Sequence, residues 1–278
     1  MNANVMARSG RLGAERAARG SVTEGAARAG LAARGVIYLL VGVLAVQVAF
    51  GDTGRQADRG GALEALAGKP LGAVLLWALG VGLAGMAVWR LSEAVFGAVG
   101  PDGRKARKRL LALGGCVFYA CVAYSVLSFA VGPHSGAGSS DQQSRDVTAR
   151  ALGLPAGQWL VAAVGVGIVV AGVWNAVQAV RRDYHDQLKR GAMSRWARRL
   201  VDVTGVGGGV ARGLVFVAAG AFAVRAAVDY RPDRAKGMDD TLRSFAHTPL
   251  GPSLLACVAA GLVLFGLFSI ALARWRRV

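Results

Sequence analysis

From Leu110 to Val131 the chain carries no charged side chain, and the same is true from Gly157 to Val180 and from Leu250 to Ala273. A run of about 20 apolar residues, rising 1.5 Å each, is long enough as a helix to cross the hydrocarbon of a bilayer. In that hydrocarbon every backbone N–H and C=O must be satisfied internally, which a helix does. Three such runs commit the chain to membrane helices. Leu31–Phe50, Leu71–Phe96 and Val203–Val228 extend the series to six. The fifth span is the weakest, because Arg212 and Arg225 bracket its uncharged stretch. Both arginines lie towards its ends, where a long side chain reaches the headgroups. The first span has the basic flank of a signal peptide, but its long preceding tail and its later recurrence favour a retained helix.

The 278 residues have a formal net charge of +17, yet only 18% are charged. A basic balance of that size suits nucleic acid when it forms one patch. Here it falls in alternate loops. Arg8 to Arg28, Arg104 to Arg109, Arg181 to Arg199 and Arg274 to Arg277 lie on one side of the six spans, and the opposite loops mix a few basic residues with as many acids. The positive-inside rule accounts for this pattern and places both termini in the cytoplasm. The partners expected are therefore the lipid bilayer and its anionic headgroups, with no nucleic acid. Cys116, Cys121 and Cys257 all fall in apolar runs, which is no disulfide framework. They are expected to behave as small buried hydrophobes.

The spans repeat in pairs. Ala33-Arg34-Gly35-Val36-Ile37-Tyr38 returns as Ala211-Arg212-Gly213-Leu214-Val215-Phe216, and a diverged copy, Gly115-Cys116-Val117-Phe118-Tyr119, has Gly115 in place of the arginine. Even spans open on Pro70-Leu71-Gly72, Pro155-Ala156-Gly157 and Pro249-Leu250-Gly251. Counted from each proline, Gly82, Gly167 and Gly261 coincide, as do Trp89, Trp174 and Phe268. Apolar pairs precede each proline: Leu63 and Leu66, Val147 and Leu152, Leu242 and Phe245. They predict short amphipathic helices at the outer surface, each stopped by its proline. Parallel two-span repeats are related by an axis along the membrane normal. The fold class expected is an all-α membrane protein, with six transmembrane helices in three parallel tandem repeats and a pseudo-three-fold arrangement. Glycines such as Gly80, Gly82, Gly85, Gly165, Gly167 and Gly172 allow close helix approach.

These motifs resemble the bacterial DUF1206 family, a domain of unknown function carried in three copies, over Arg28 to about Phe268. The resemblance implies a prokaryotic integral membrane protein with no assigned activity, and the location expected is the bacterial inner membrane. The organisation expected is a disordered basic tail (1–28), repeat 1 (29–97), a basic loop (98–109), repeat 2 (110–180), a second basic loop (181–202), repeat 3 (203–273) and a cytoplasmic C-terminus (274–278).

Ionisable groups within spans are functional candidates. Aligning the even spans sets Arg90 and Glu93 opposite Asn175 and Gln178, with Ser269 in the sixth span. A three-residue spacing puts each pair on one helix face. With Arg34 and Arg212 they are expected to form a polar ring at the inner mouth, binding an anionic lipid or solute or else pairing helices. Arginine suits anions because its fork offers paired donors. His134, His247, Asp141, Asp239 and Asp240 fall in outer loops without tight metal-ligand spacing, and His185 has no evident partner. Trp77, Trp89, Trp159, Trp174 and Trp275 lie near span ends as interfacial anchors do. No nucleophile elbow or phosphate-cradling loop is present, so no enzyme, cofactor or metal is expected. A lipid- or partner-binding scaffold is the function expected, with a small transporter or channel as the alternative.

Overall fold

A computed structural model describes residues 3–50, 56–97, 106–131, 140–188, 191, 193–246 and 251–276. Among them are nine α-helices: α1 (Ala3–Ala49), α2 (Arg59–Ala67), α3 (Gly72–Phe96), α4 (Ala106–Val131), α5 (Ser140–Leu152), α6 (Gly157–Arg181), α7 (Arg195–Val228), α8 (Met238–Ala246) and α9 (Gly251–Trp275). Six of them, α1, α3, α4, α6, α7 and α9, are long and apolar enough to cross a membrane. The basic tail continues α1 as helix from Ala3, where a disordered segment was expected. Its alanines and arginines are strong helix formers, and helix extension costs little once the span has nucleated it.

The three short helices differ more than their shared apolar pairs suggest. Leu63 and Leu66 of α2 are buried, as are Leu152 of α5 and Leu242 of α8, but Val147 is exposed. Thr148, seven residues before its proline like Leu63 and Leu242, takes the inward position instead. After α2 and α5 the Pro-x-Gly element turns the chain into the next span. Leu71 (φ 66°) and Ala156 (φ 60°) adopt the left-handed conformation there. The following glycine then lies against the preceding short helix, so a methyl group on Gly72 would stand 2.5 Å from Leu66 O. Only glycine fits so close to backbone.

Neighbouring spans follow the order α4, α3, α1, α9, α7, α6. The broadest packing joins an even span to the odd span of a different repeat: α3 to α4, α6 to α7, and α9 to α1. Two of these interfaces use the same aligned positions. A methyl on Gly35 would stand 2.9 Å from Gly266 O, and one on Gly213 would stand 2.7 Å from Gly172 O. A methyl on Gly42 would stand 2.8 Å from Val263 N, as one on Gly220 would stand 2.8 Å from Val169 N. Without a hydrophobic drive between helices in lipid, such backbone approach is what makes the pairs stick.

Within a repeat the packing is less even. In repeats 1 and 3 the odd span lays small residues on its own even span. Gly30 abuts Met86 and Gly82 O, and Gly208 abuts the aligned Phe265. Gly82 and Gly261 return the contact to Ala33 and Ala211. In repeat 2 the position of Gly30 and Gly208 holds Leu111, which is 66% exposed. Neither Gly114 nor Gly167 has a neighbour within 4 Å of a notional side chain. The glycine that permits close approach in the other repeats is therefore missing, and α4 and α6 make no extensive contact with each other among the described residues.

Candidate functional site: an arginine cluster at the terminal end

In α1, Arg34 points across the bundle rather than outwards. Its Nε donates to Ser269 Oγ of α9 at 3.2 Å, and its guanidinium lies 5.3 Å from the Phe265 ring centroid. Its guanidinium also lies beside the Tyr119 hydroxyl of α4. Arg212, its repeat-3 counterpart, donates from Nε to Tyr38 Oη at 3.1 Å. Its guanidinium sits 4.8 Å from the Phe216 ring and 4.9 Å from Phe265. Cation–π contact of this kind compensates part of the desolvation of an arginine.

The two pairings are one motif used twice. Tyr38, Tyr119 and Phe216 share an aligned position, as do Arg34, Gly115 and Arg212. Each arginine therefore reaches the hydroxyl of the next repeat in cyclic order: Arg34 to Tyr119 and Arg212 to Tyr38. Where Gly115 removes the third arginine, its acceptor is gone too, because Phe216 has no hydroxyl. Gly115 instead leaves room for the Arg90 side chain, which lies 3.4 Å from where its Cβ would be.

Arg90 Nη1 bonds Glu93 Oε2 at 2.8 Å across one helical turn. Its Nε is buried with no hydrogen-bond partner among the described residues. Arg276, just beyond α9, completes the group. Arg90 and Arg276 both lie 4.8 Å from the Trp89 ring centroid. Burial pushes the Arg276 guanidinium down to about 10, helped by the charges of Arg90 and Arg34 and opposed by Glu93 and Tyr119. Among the described residues four guanidiniums thus gather around the Phe265 and Trp89 rings, and the carboxylate in ion-pair contact, Glu93, is already engaged by Arg90. Trp89 is buried among them and is not the interfacial anchor its position near a span end suggested.

The linker after α6 covers this end. A short 3-10 turn (Asp183–Gln187) carries Leu188 to an isolated β-bridge with Arg276. Leu188 and Met193 are buried in one cluster with Leu31, Met86, Trp89 and Phe268. His185, expected to lack a partner, places Nε2 2.6 Å from Asp202 Oδ1 and so ties the linker to α7.

Of the predicted ring, Arg34, Arg90, Glu93 and Arg212 come together. Asn175 and Gln178 do not join them, because α6 packs along α7 alone among the spans. The Asn175 amide donates to Ala171 O at 2.7 Å within its own helix. Arg276, Tyr119 and Tyr38 are the members sequence reasoning missed. The aligned tyrosines were a visible signal, but nothing in the C-terminal basic run singles out Arg276.

At the opposite end, Asp141, Asp239 and Asp240 bring carboxylate oxygens within 4.8 Å of one another. Internal partners hold them: Asp239 accepts from Ala57 N at 2.7 Å and Arg243 Nε at 2.8 Å, and Asp141 accepts from Asp240 N at 3.2 Å. Burial, with Asp240 and Asp239 nearby, raises the Asp141 carboxyl to about 6. His134 and His247 lie outside the described residues. Cys116, Cys121 and Cys257 are free thiols; Cys121 and Cys257 face the bundle surface instead of its interior.

A family model described as Domain of Unknown Function (DUF1206) matches residues 29–97, 112–182 and 207–276. The chain belongs to the DUF1206 family. It is also 32% identical over 245 residues to the uncharacterized protein YxxB of Bacillus subtilis (strain 168), covering 87% of each chain. No solved structure matches it. This DUF1206 protein thus carries three copies of the family's unit, and its polar cluster draws on all three.

Proposed function

We propose that this DUF1206 protein is a non-enzymatic, multi-pass protein of the bacterial cytoplasmic membrane that binds an anionic group, phosphate or carboxylate, at the arginine cluster. In this reading both termini are cytoplasmic and the bundle is pseudo-three-fold. The recurrence of Gly35–Gly266 packing as Gly213–Gly172, and of the Arg-to-Tyr pair in cyclic order, supports that symmetry. The observation that carries the function is the excess of guanidinium: Arg34 and Arg212 share the Phe265 ring, Arg90 and Arg276 share the Trp89 ring, and among the described residues Glu93 is the one carboxylate in ion-pair contact with any of them. Like charges held together in a partly dry place repel, and an anion relieves both the repulsion and the unused donor on Arg90.

Arg34 and Arg212 also join helices through Ser269 and Tyr38, but among the described residues only Arg90 has an acid at contact distance, so that pairing leaves the charge of the others unbalanced. A small transporter or channel draws less support. Val41, Leu44, Leu255 and Leu262 fill one apolar cluster between the two ends, and Leu79, Leu83 and Val126 fill another.

The test is thermal stability of the purified full chain, titrated with inorganic phosphate or with phosphatidylglycerol in mixed micelles, for wild type, Arg34→Met and Arg212→Met. Methionine keeps an apolar contact with Phe265 while deleting the charge. The expected result is unfolding of the unliganded variants at or above the wild-type temperature, with the anion-dependent rise lost or its midpoint weakened about tenfold. Destabilised variants that keep the full anion response would refute the reading.

A further inference from the structure

Resting on the anion-binding reading, we infer that the group bound at the cluster is the headgroup of an anionic diacyl phospholipid, which enters sideways between α4 and α6. Access from the terminal end is obstructed, because Leu188 and Met193 are buried against Leu31, Met86 and Trp89 and the Leu188–Arg276 bridge ties the linker down. The lateral face is different. In repeats 1 and 3 the odd and even spans close on each other through Gly30 with Gly82 and through Gly208 with Gly261. In repeat 2 the aligned position is Leu111, 66% exposed, and Gly114 and Gly167 face open space.

The exposed walls confirm that this separation is local to one repeat. Trp174 is 53% exposed, whereas the aligned Trp89 and Phe268 are each 6% exposed. Val164 is likewise exposed where its counterparts Leu79 and Val258 are buried. Any span shows side chains to lipid, but these are positions that the other two repeats cover with protein. The α4 side of this gap leads to the cluster. It bears Tyr119, beside Arg34, and Gly115, against which Arg90 lies.

An uncovered apolar face beside a basic cluster suits long hydrocarbon chains attached to a negatively charged head. A free inorganic anion would have no use for that face, and a zwitterionic lipid would bring a cation to face four guanidiniums. A second copy of the chain would have to insert a helix with an acidic end, and the span ends here are predominantly basic on the terminal side.

The experiment uses the full chain in nanodiscs containing a phosphatidylglycerol with a photoreactive acyl chain, followed by peptide mapping. Labelling is expected to concentrate on the α4 and α6 faces around Gly114 and Gly167. It should be competed by unlabelled phosphatidylglycerol but not by phosphatidylcholine or inorganic phosphate. Gly167→Phe puts bulk into open space away from the arginines, so the fold should survive. It should cut the labelling about tenfold while leaving the thermal response to inorganic phosphate unchanged. Labelling spread evenly over all spans, or equal labelling from a photoreactive phosphatidylcholine, would overturn lipid entry. So would chain–chain crosslinks at these faces in place of lipid adducts. Persistence of the phosphate response in those cases would show that the anion site itself stands. Labelling at these faces that ignores Arg34→Met and Arg212→Met would instead overturn the headgroup assignment along with the anion reading.

Discussion

Three aligned glycines should respond to the same substitution in three different ways. In Gly261→Ala the new methyl collides with Ala211 Cβ, and Gly207 O lies 3.5 Å away, so the two helices must part. Carbon atoms rest at about 3.5–4 Å, so the required shift is roughly an ångström or more. Overpacking of that kind costs about 1–3 kcal/mol, against a helix-propensity gain of up to about 1 kcal/mol. In Gly82→Ala the methyl meets Ala29 O at 3.1 Å and Ala33 Cβ at 3.2 Å, a conflict of a few tenths of an ångström. Gain and strain then nearly cancel. In Gly167→Ala nothing lies within 4 Å, and only the propensity gain remains. Tryptophan-fluorescence melts of the three variants in one detergent measure the order directly. At roughly 2–4 °C per kcal/mol, Gly261→Ala should melt several degrees below wild type, Gly82→Ala close to it and Gly167→Ala at or above it. A Gly167→Ala variant that falls as far as Gly261→Ala would show that α4 and α6 pack like the other repeats, and the lateral gap would not exist.

Two further outcomes concern the end with the short helices. The Asp141 carboxyl is raised from 3.8 to about 6, so its protonated form is favoured in the fold. That contribution is complete below about pH 4 and is lost as pH rises through about 6, so at pH 7.5 the ionised group is a burden. Asp141→Asn should therefore raise the melting temperature at pH 7.5, by an amount worth about 1 kcal/mol once solvent screening is allowed for, and give no gain at pH 4. Asp239→Ala removes the acceptor for the buried Ala57 N–H and for Arg243. An unsatisfied buried donor costs about 1–3 kcal/mol, which should appear as a lower melting temperature and faster amide exchange at Ala57.

The architecture was legible because lipid leaves so few options. An uncharged run such as Leu110–Val131 has to be a helix in a bilayer, and the prolines at 70, 155 and 249 set the repeat register. The cluster was half legible. Arg34 and Arg212 stand in an evident repeat, and Arg90 with Glu93 are charges inside a span. Alignment alone also nominated Asn175 and Gln178, on the premise that all three repeats fold alike. Repeat 2 departs from that premise: Leu111 stands where the other repeats have a glycine, and α6 lacks the odd-span partner within its own repeat that its counterparts have. A position-by-position comparison of the glycines would have shown the substitution, but not that the helices part rather than adjust. Arg276 and the Leu188 bridge were out of reach, because a linker's path across the bundle depends on packing that no local pattern encodes.

The most direct measurement is a structure of the full chain in nanodiscs made with phosphatidylglycerol, with the density between Arg34, Arg90, Arg212 and Arg276 inspected. A phosphate-sized density within hydrogen-bond distance of at least two of these guanidiniums is the predicted result. A cluster holding only water, with the same four arginines in the same places despite abundant anionic lipid, would contradict the anion-binding function.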